Sequence, residues 1–211
     1  MTALKEKTEL VSKFLEFMDL AEKLKCTLRH DWTSSGRQES VAEHSWRLAL
    51  MVMLMAPHLS QPIEIEKALK MAIVHDICET VTGDIPYFEA PEGSEAREDK
   101  KRAENKVIND IFSRFGPEIS GEIYHIWLEY EEGVTFLSKV VKSLDKLESQ
   151  MQQLLAKESS WSEDERKDVF SERLISSLVE EDVIIELAKT VMNLSRKKVA
   201  YGKSTSKGKI T

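Results

Sequence analysis

Apolar residues recur along this chain at steps of three and four, the spacing of one helix face. Leu10, Phe14, Phe17, Met18, Ala21 and Leu24 trace such a face near the start. From Thr27 to Glu39 the period is lost and Gly36 intervenes, which reads as a long loop; loops of that length in compact domains are often functional. Order returns at Ser40-Val41-Ala42-Glu43, a capping box with Ser40 as N-cap and Glu43 at the third helical position. That helix is expected to run to about Met55 and to stop before Pro57. A third helix follows Pro62, with Ile65, Ala68, Leu69, Ala72 and Ile73 facing inward, and is expected to end near Thr80, before Gly83.

Pro86, Pro91 and Gly93 mark a second loop over 84–93. Helices are expected over 94–115, from Pro117 to before Gly133, and over 134–157, where Leu137, Val141, Leu144, Met151 and Leu155 form a stripe. Ser162 to Glu165 repeats the capping-box pattern and opens a last helical region to about Ala200. No pair of alternating segments with a hairpin turn is evident. The pattern predicts an all-α fold built as a single helical bundle.

Composition supports this. The 211 residues include only 8 Gly and 5 Pro, too few for a turn-rich β-sandwich or a disordered chain. The length suits one domain. We assign it to 1–202, with a core over about 28–150 and C-terminal helices over about 162–200. The basic segment 203–211 is expected to be a disordered tail. Two cysteines are too few for a disulfide framework. The longest apolar run, from Leu48 to Ala56, is too short to span a bilayer. The expectation is a cytoplasmic protein with no membrane partner.

Charge adds a constraint. The net charge is −7, yet the six cations among the last 16 residues meet no acid there, so the rest of the chain carries −13. Such a body is a poor nucleic-acid binder, because that binding rests on neutralising phosphates with Lys and Arg. The same acidity is at odds with a small phosphorylated substrate unless a bound cation or a placed Arg offsets it.

Three metal-competent pieces fall on three expected helices. They are His44, the pair His75-Asp76 inside an apolar stretch, and Asp145 on the shoulder of its helix's stripe. Each alone is weak, since single His and Asp residues are most often solvated. Together they offer two imidazole nitrogens and two carboxylate oxygens, a set suited to a divalent transition metal. Glu79 lies three and four residues beyond Asp76 and His75 and shares their face, where a carboxylate is placed for general acid or base work. Asp84 follows on the loop.

This pattern resembles the HD-domain metal-dependent phosphohydrolases, whose ligands read H…HD…D on separate helices, and within them the 5′-deoxynucleotidase branch. The strings carrying the likeness are Glu39-Ser40-Val41-Ala42-Glu43-His44-Ser45 and the run from His75 to Pro86, followed by Asp145. The resemblance implies that His44, His75, Asp76 and Asp145 hold one divalent ion (Mn²⁺, Co²⁺, Fe²⁺, Zn²⁺ or Mg²⁺). It implies Glu79 as the catalytic carboxylate with Asp84 assisting, a homodimer, and a (deoxy)nucleoside 5′-monophosphate as substrate. The branch has an Arg-Trp pair ahead of the first ligand. Here Arg29 takes the Arg position, His30 stands where the aromatic would be, and Trp32 is displaced by two residues. Arg29, Trp32 and Arg37 are the expected substrate-binding residues. A hydrolase of nucleoside triphosphates or of another small phosphate ester is the alternative. A non-catalytic HD-domain regulatory module is the other, and it would have no use for both Glu79 and Asp84.

Overall fold

The computed structural model describes residues 2–91 and 93–207. In chain order the elements are α1 (Thr2–Glu22), β1 (Leu28–Trp32), β2 (Gln38–Ser40), α2 (Val41–Met55), α3 (Ile65–Val74), α4 (Glu79–Thr82), α5 (Glu95–Phe115), α6 (Pro117–Glu132), α7 (Phe136–Leu155), α8 (Glu163–Asp168), α9 (Arg173–Ser176) and α10 (Asp182–Lys207). The fold is all-α apart from one small sheet.

That sheet corrects the sequence reading. The stretch after Thr27 forms not a loop but an antiparallel hairpin, β1 against β2, with an irregular register between Leu28 and Trp32. A strand this short, carrying Arg29, His30 and Asp31, has no clean alternation to announce it. The third helix is also shorter than expected. It ends at Val74, a turn carries His75 to Cys78, and the single-turn α4 follows. Gly83 stops α4 at φ +72°, a left-handed conformation open to glycine at little cost, and the chain then turns away to deliver Asp84. The last helical region divides into α8, α9 and α10. Residues 203–207, expected in a disordered tail, continue α10, while 208–211 lie outside the described residues.

Helix starts follow the capping logic. Ser40 and Ser162 each close a capping box with Glu43 and Glu165, and Ser94 and Thr135 accept from the third backbone N–H of α5 and α7. Two buried clusters hold the elements together. One joins α2, α3, α7 and α10 through Leu48, Val52, Met71, Ala72, Leu144 and Met192. The other joins α1, α5 and α6 through Phe17, Leu20, Ile108, Ile111, Phe115 and Trp127, with Val41 and Ile77 attached. The residues of interest fall between the two. His44 is flanked by Val41 and Leu48, and His75 by Ala72 and Ile77. No helix among the described residues is long and apolar enough to cross a membrane.

Candidate metal centre

His44 enters this seam because the Ser40 capping box fixes where α2 starts, and the ring sits one residue past the box, fully buried. Its Nδ1 hydrogen-bonds Glu148 of α7, also fully buried. Its Nε2 lies 3.0 Å from Asp145 Oδ1, 3.3 Å from His75 Nε2 and 3.8 Å from Asp76 Oδ2. His75 Nε2 lies 3.0 Å from Asp76 Oδ2 and 3.8 Å from Asp145 Oδ1. The four residues singled out in the sequence are thus brought together from α2, the turn after α3, and α7: His44, His75 and Asp76 form a mutually close set, and Asp145 joins it through the two histidine Nε2 atoms.

The donor chemistry fits a cation. His75 Nδ1 donates to the Ala72 carbonyl at 3.0 Å, so a neutral ring presents a lone pair at Nε2. That lone pair faces two carboxylates and a second imidazole. At His44, burial and Arg29 push the imidazole pKa down, but hydrogen bonds to Asp145 and Glu148 outweigh them and raise it to about 10. That favours the protonated ring in the metal-free protein, with Nε2 facing Asp145 Oδ1. Burial works against the charged forms of Asp76 and Asp145, yet the two histidines hold both carboxyls well below the usual range. Tyr130, from α6, donates to Asp145 Oδ2 at 2.7 Å and fixes its second oxygen.

Arg29 is buried beside this cluster. Its guanidinium donates to Ser149 Oγ at 2.6 Å and lies 3.7 Å from both Asp76 and Asp31 and 3.5 Å from Glu39. Burial pushes Asp31 up to about 6 despite Arg29, and burial with Glu148 nearby pushes Glu39 up to about 7. Glu79 is buried on α4. Burial, then Asp76 and Asp84, raise it to about 9, with Lys100 of α5 opposing from 3.5 Å. Its Oε2 has no hydrogen-bond partner among the described residues. Asp84 accepts from the His30 backbone N–H at 3.3 Å, so the loop after α4 closes onto β1.

The substrate-binding expectations divide. Arg29 is at the centre. Trp32 is tied to it only indirectly, through a carbonyl that accepts from Gln152 at 2.6 Å. Arg37 is drawn elsewhere: it is exposed and pairs with Glu43 at 2.5 and 2.8 Å. Cys78 is buried and packs as a small apolar residue, its thiol pushed up by burial.

Sequence reasoning missed Asp31, Glu39, Arg47, Lys100, Tyr130, Glu148, Ser149 and Gln152. A signal existed for some. Glu148, Ser149 and Gln152 follow Asp145 at helical steps, and Asp31 is two residues from Arg29 on a strand.

The HD-domain family profile matches residues 21–181. The chain is 33% identical over 149 residues to the 5′-deoxynucleotidase HDDC2 of Dictyostelium discoideum, a match covering 67% of this chain and 76% of that protein. It is 35% identical over 139 residues to the 5′-deoxynucleotidase hdd1 of Schizosaccharomyces pombe, covering 63% and 66%. Among solved structures, the PH0347 protein of Pyrococcus horikoshii superposes with a TM-score of 0.63 at 29% identity, over 87% of this chain and 99% of that one. A protein of Magnetospirillum magnetotacticum, described as a predicted metal-dependent phosphohydrolase, shares the fold at a TM-score of 0.74 and 24% identity, over 89% and 96%.

Proposed function

The chain belongs to the HD-domain family, and on that premise we propose that it is a metal-dependent phosphohydrolase that cleaves (deoxy)nucleoside 5′-monophosphates to nucleoside and phosphate. The observation that carries this reading is the gathering of His44, His75, Asp76 and Asp145 in one cluster, with Arg29 and Glu79 beside it. Those four residues would hold the ion. A bound divalent ion supplies a Lewis acid for the phosphoryl group and lowers the pKa of coordinated water. The mixed nitrogen and oxygen donors favour Mn²⁺, Co²⁺ or Fe²⁺, with Zn²⁺ and Mg²⁺ as the other candidates.

The protein's own groups do the rest. Arg29 is the cation available to a phosphate, and its planar fork suits two phosphate oxygens at once. Ser149 and the surrounding acids hold it in place before substrate arrives. Glu79, raised to about 9, carries a proton at neutral pH. With its buried Oε2 unpartnered among the described residues, Glu79 is placed to be the general acid: as a water-derived hydroxyl bonds to phosphorus and the phosphorus–O5′ bond breaks, Glu79 protonates the departing oxygen and the hydroxyl proton stays on the phosphate. Asp84 holds the β1 backbone through His30 and keeps the Glu79 side of the site closed against the strand. His30, edge-on to Phe88 with ring centroids 4.8 Å apart, borders the same side.

The family reading also brings a homodimer, which sedimentation would check; the cytoplasmic setting is our expectation from the low cysteine count, with which the free thiols of Cys26 and Cys78 agree. The test of function is direct. Metal-stripped protein is offered dAMP, AMP, dATP and a generic phosphomonoester with Mn²⁺, Co²⁺, Zn²⁺ or Mg²⁺. Phosphate release from dAMP is the expected result. Cleavage of dATP with dAMP untouched would point to a triphosphate hydrolase, and no release from any pair would overturn the enzyme reading.

A further inference from the structure

Four polar residues of α7 line one stripe at helical steps: Asp145, Glu148, Ser149 and Gln152. Each meets a different part of the site. Asp145 joins the histidine cluster. Glu148 hydrogen-bonds His44 Nδ1 through one oxygen, and its other oxygen forms an ion pair with Arg47 Nε at 2.5 Å without hydrogen-bond geometry. Ser149 accepts from Arg29 at 2.6 Å. Gln152 donates to the Trp32 carbonyl at 2.6 Å and accepts from Arg47 Nη1, while Arg47 Nη2 donates to the Glu148 carbonyl at 3.0 Å. Arg47 lies one helical step past His44 on α2 and ties the stripe together.

Glu148 does not face His44 Nε2, the atom close to Asp145, His75 and Asp76. It meets the far side of the His44 ring at Nδ1, with Glu39 and Arg47 as its other neighbours. A fully buried carboxylate is costly unless partnered, and both of its partners lead to the centre. We propose that Glu148, locked by Arg47, is a positioning residue that sets metal affinity by holding His44 with Nε2 toward Asp145 and His75. Through Gln152 and Ser149, the same stripe sets the register of β1, so that metal ligand and phosphate-binding Arg29 are placed by one helix. Carboxylates that accept from a ligand histidine commonly orient the ring and raise its basicity. The inference rests on the metal reading above.

Mn²⁺ binding to the stripped protein, measured by calorimetry, tests it alongside the melting temperature of the metal-free form. Glu148→Gln is expected to weaken Mn²⁺ binding about 10- to 100-fold. Arg47→Gln, at a partly exposed position, is expected to weaken it in the same direction but less. Gln152→Ala is expected to raise KM for dAMP at saturating Mn²⁺ more than it lowers kcat. A purely structural role would lower the metal-free melting temperature and leave Mn²⁺ affinity unchanged, and that result in both Glu148→Gln and Arg47→Gln overturns the proposal. Should Glu148→Gln fail to fold, Arg47→Gln decides. Binding of two ions by the wild type with one lost in Glu148→Gln would make Glu148 a ligand and also overturn it. Failure of the wild type to bind any divalent ion would instead overturn the metal reading beneath.

Discussion

The Nε2 atoms of His44 and His75 lie 3.3 Å apart, each ring being pinned at its other nitrogen, to Glu148 and to the Ala72 carbonyl. At most one proton fits between them, and two carboxylates press on the same gap. A divalent ion is a better occupant than a proton. Metal uptake should then displace the proton that His44 holds with a pKa of about 10. Because the deprotonated ring is the binding form, affinity should rise with pH. The expected slope is about tenfold per pH unit between pH 6 and 8 for one displaced proton. Calorimetry at several pH values checks this, with a flat profile counting against it.

Substitution should separate retention from turnover. His75→Ala and Asp76→Ala should each abolish metal retention, read by elemental analysis after dialysis. Glu79→Gln should keep the metal and lose about 10²- to 10⁴-fold in kcat, the usual contribution of a general acid. Equal metal loss in all three variants would contradict the assignment.

Glu79 also predicts the alkaline limb of the pH–rate profile. The protonated form is the active one, so activity should fall as pH rises through about 9. In Glu79→Gln the residual activity should lose that limb, which steady-state rates from pH 6 to 10 would reveal.

Two further acids bear on stability. Asp31 and Glu39 have folded-state pKa values of about 6 and about 7, above their ordinary 3.8 and 4.5. Stability linked to their protonated forms is fully present below the ordinary values and is lost as pH rises through the folded ones. Metal-free protein should therefore weaken between about pH 4 and 7 on account of these groups. Urea denaturation across that range, with Glu39→Gln as the variant that flattens the slope, is the measurement.

The two arginines of the hairpin should behave differently. Arg29→Lys loses the fork that contacts Ser149 and faces three acids. With charged hydrogen bonds contributing about 1.5–3 kcal/mol, kcat/KM should drop roughly 10- to 150-fold. Arg37→Ala removes only an exposed pair with Glu43 and should change stability by less than about 1 kcal/mol and activity hardly at all. Kinetics of both variants at fixed metal would show the contrast.

Much of this was legible in the sequence. The helices announced themselves through period and caps, and Ser40 and Glu43 placed the start of α2, hence His44, within a residue. The hairpin was not legible, because β1 owes its form to contacts made far away along the chain, at Gln152 and Ser149, rather than to its own alternation. The break at Val74 was hidden for a related reason. The run from Ala68 to Thr80 reads as one helix, and the bend brings both His75, which opens the turn, and Glu79, which follows it, into buried positions. Glu148 escaped notice because its partner, His44, lies 104 residues away along the chain.

The β1–β2 hairpin has a consequence for the order in which the molecule assembles. Two short strands alone are at best marginally stable in water. This hairpin is fastened to α7 by partners 120 residues away, Arg29 to Ser149 and Trp32 to Gln152. It can become durable only once α2 and α7 have met. The place of Arg29 in its nest of acids therefore depends on α7 as much as on the hairpin that carries it.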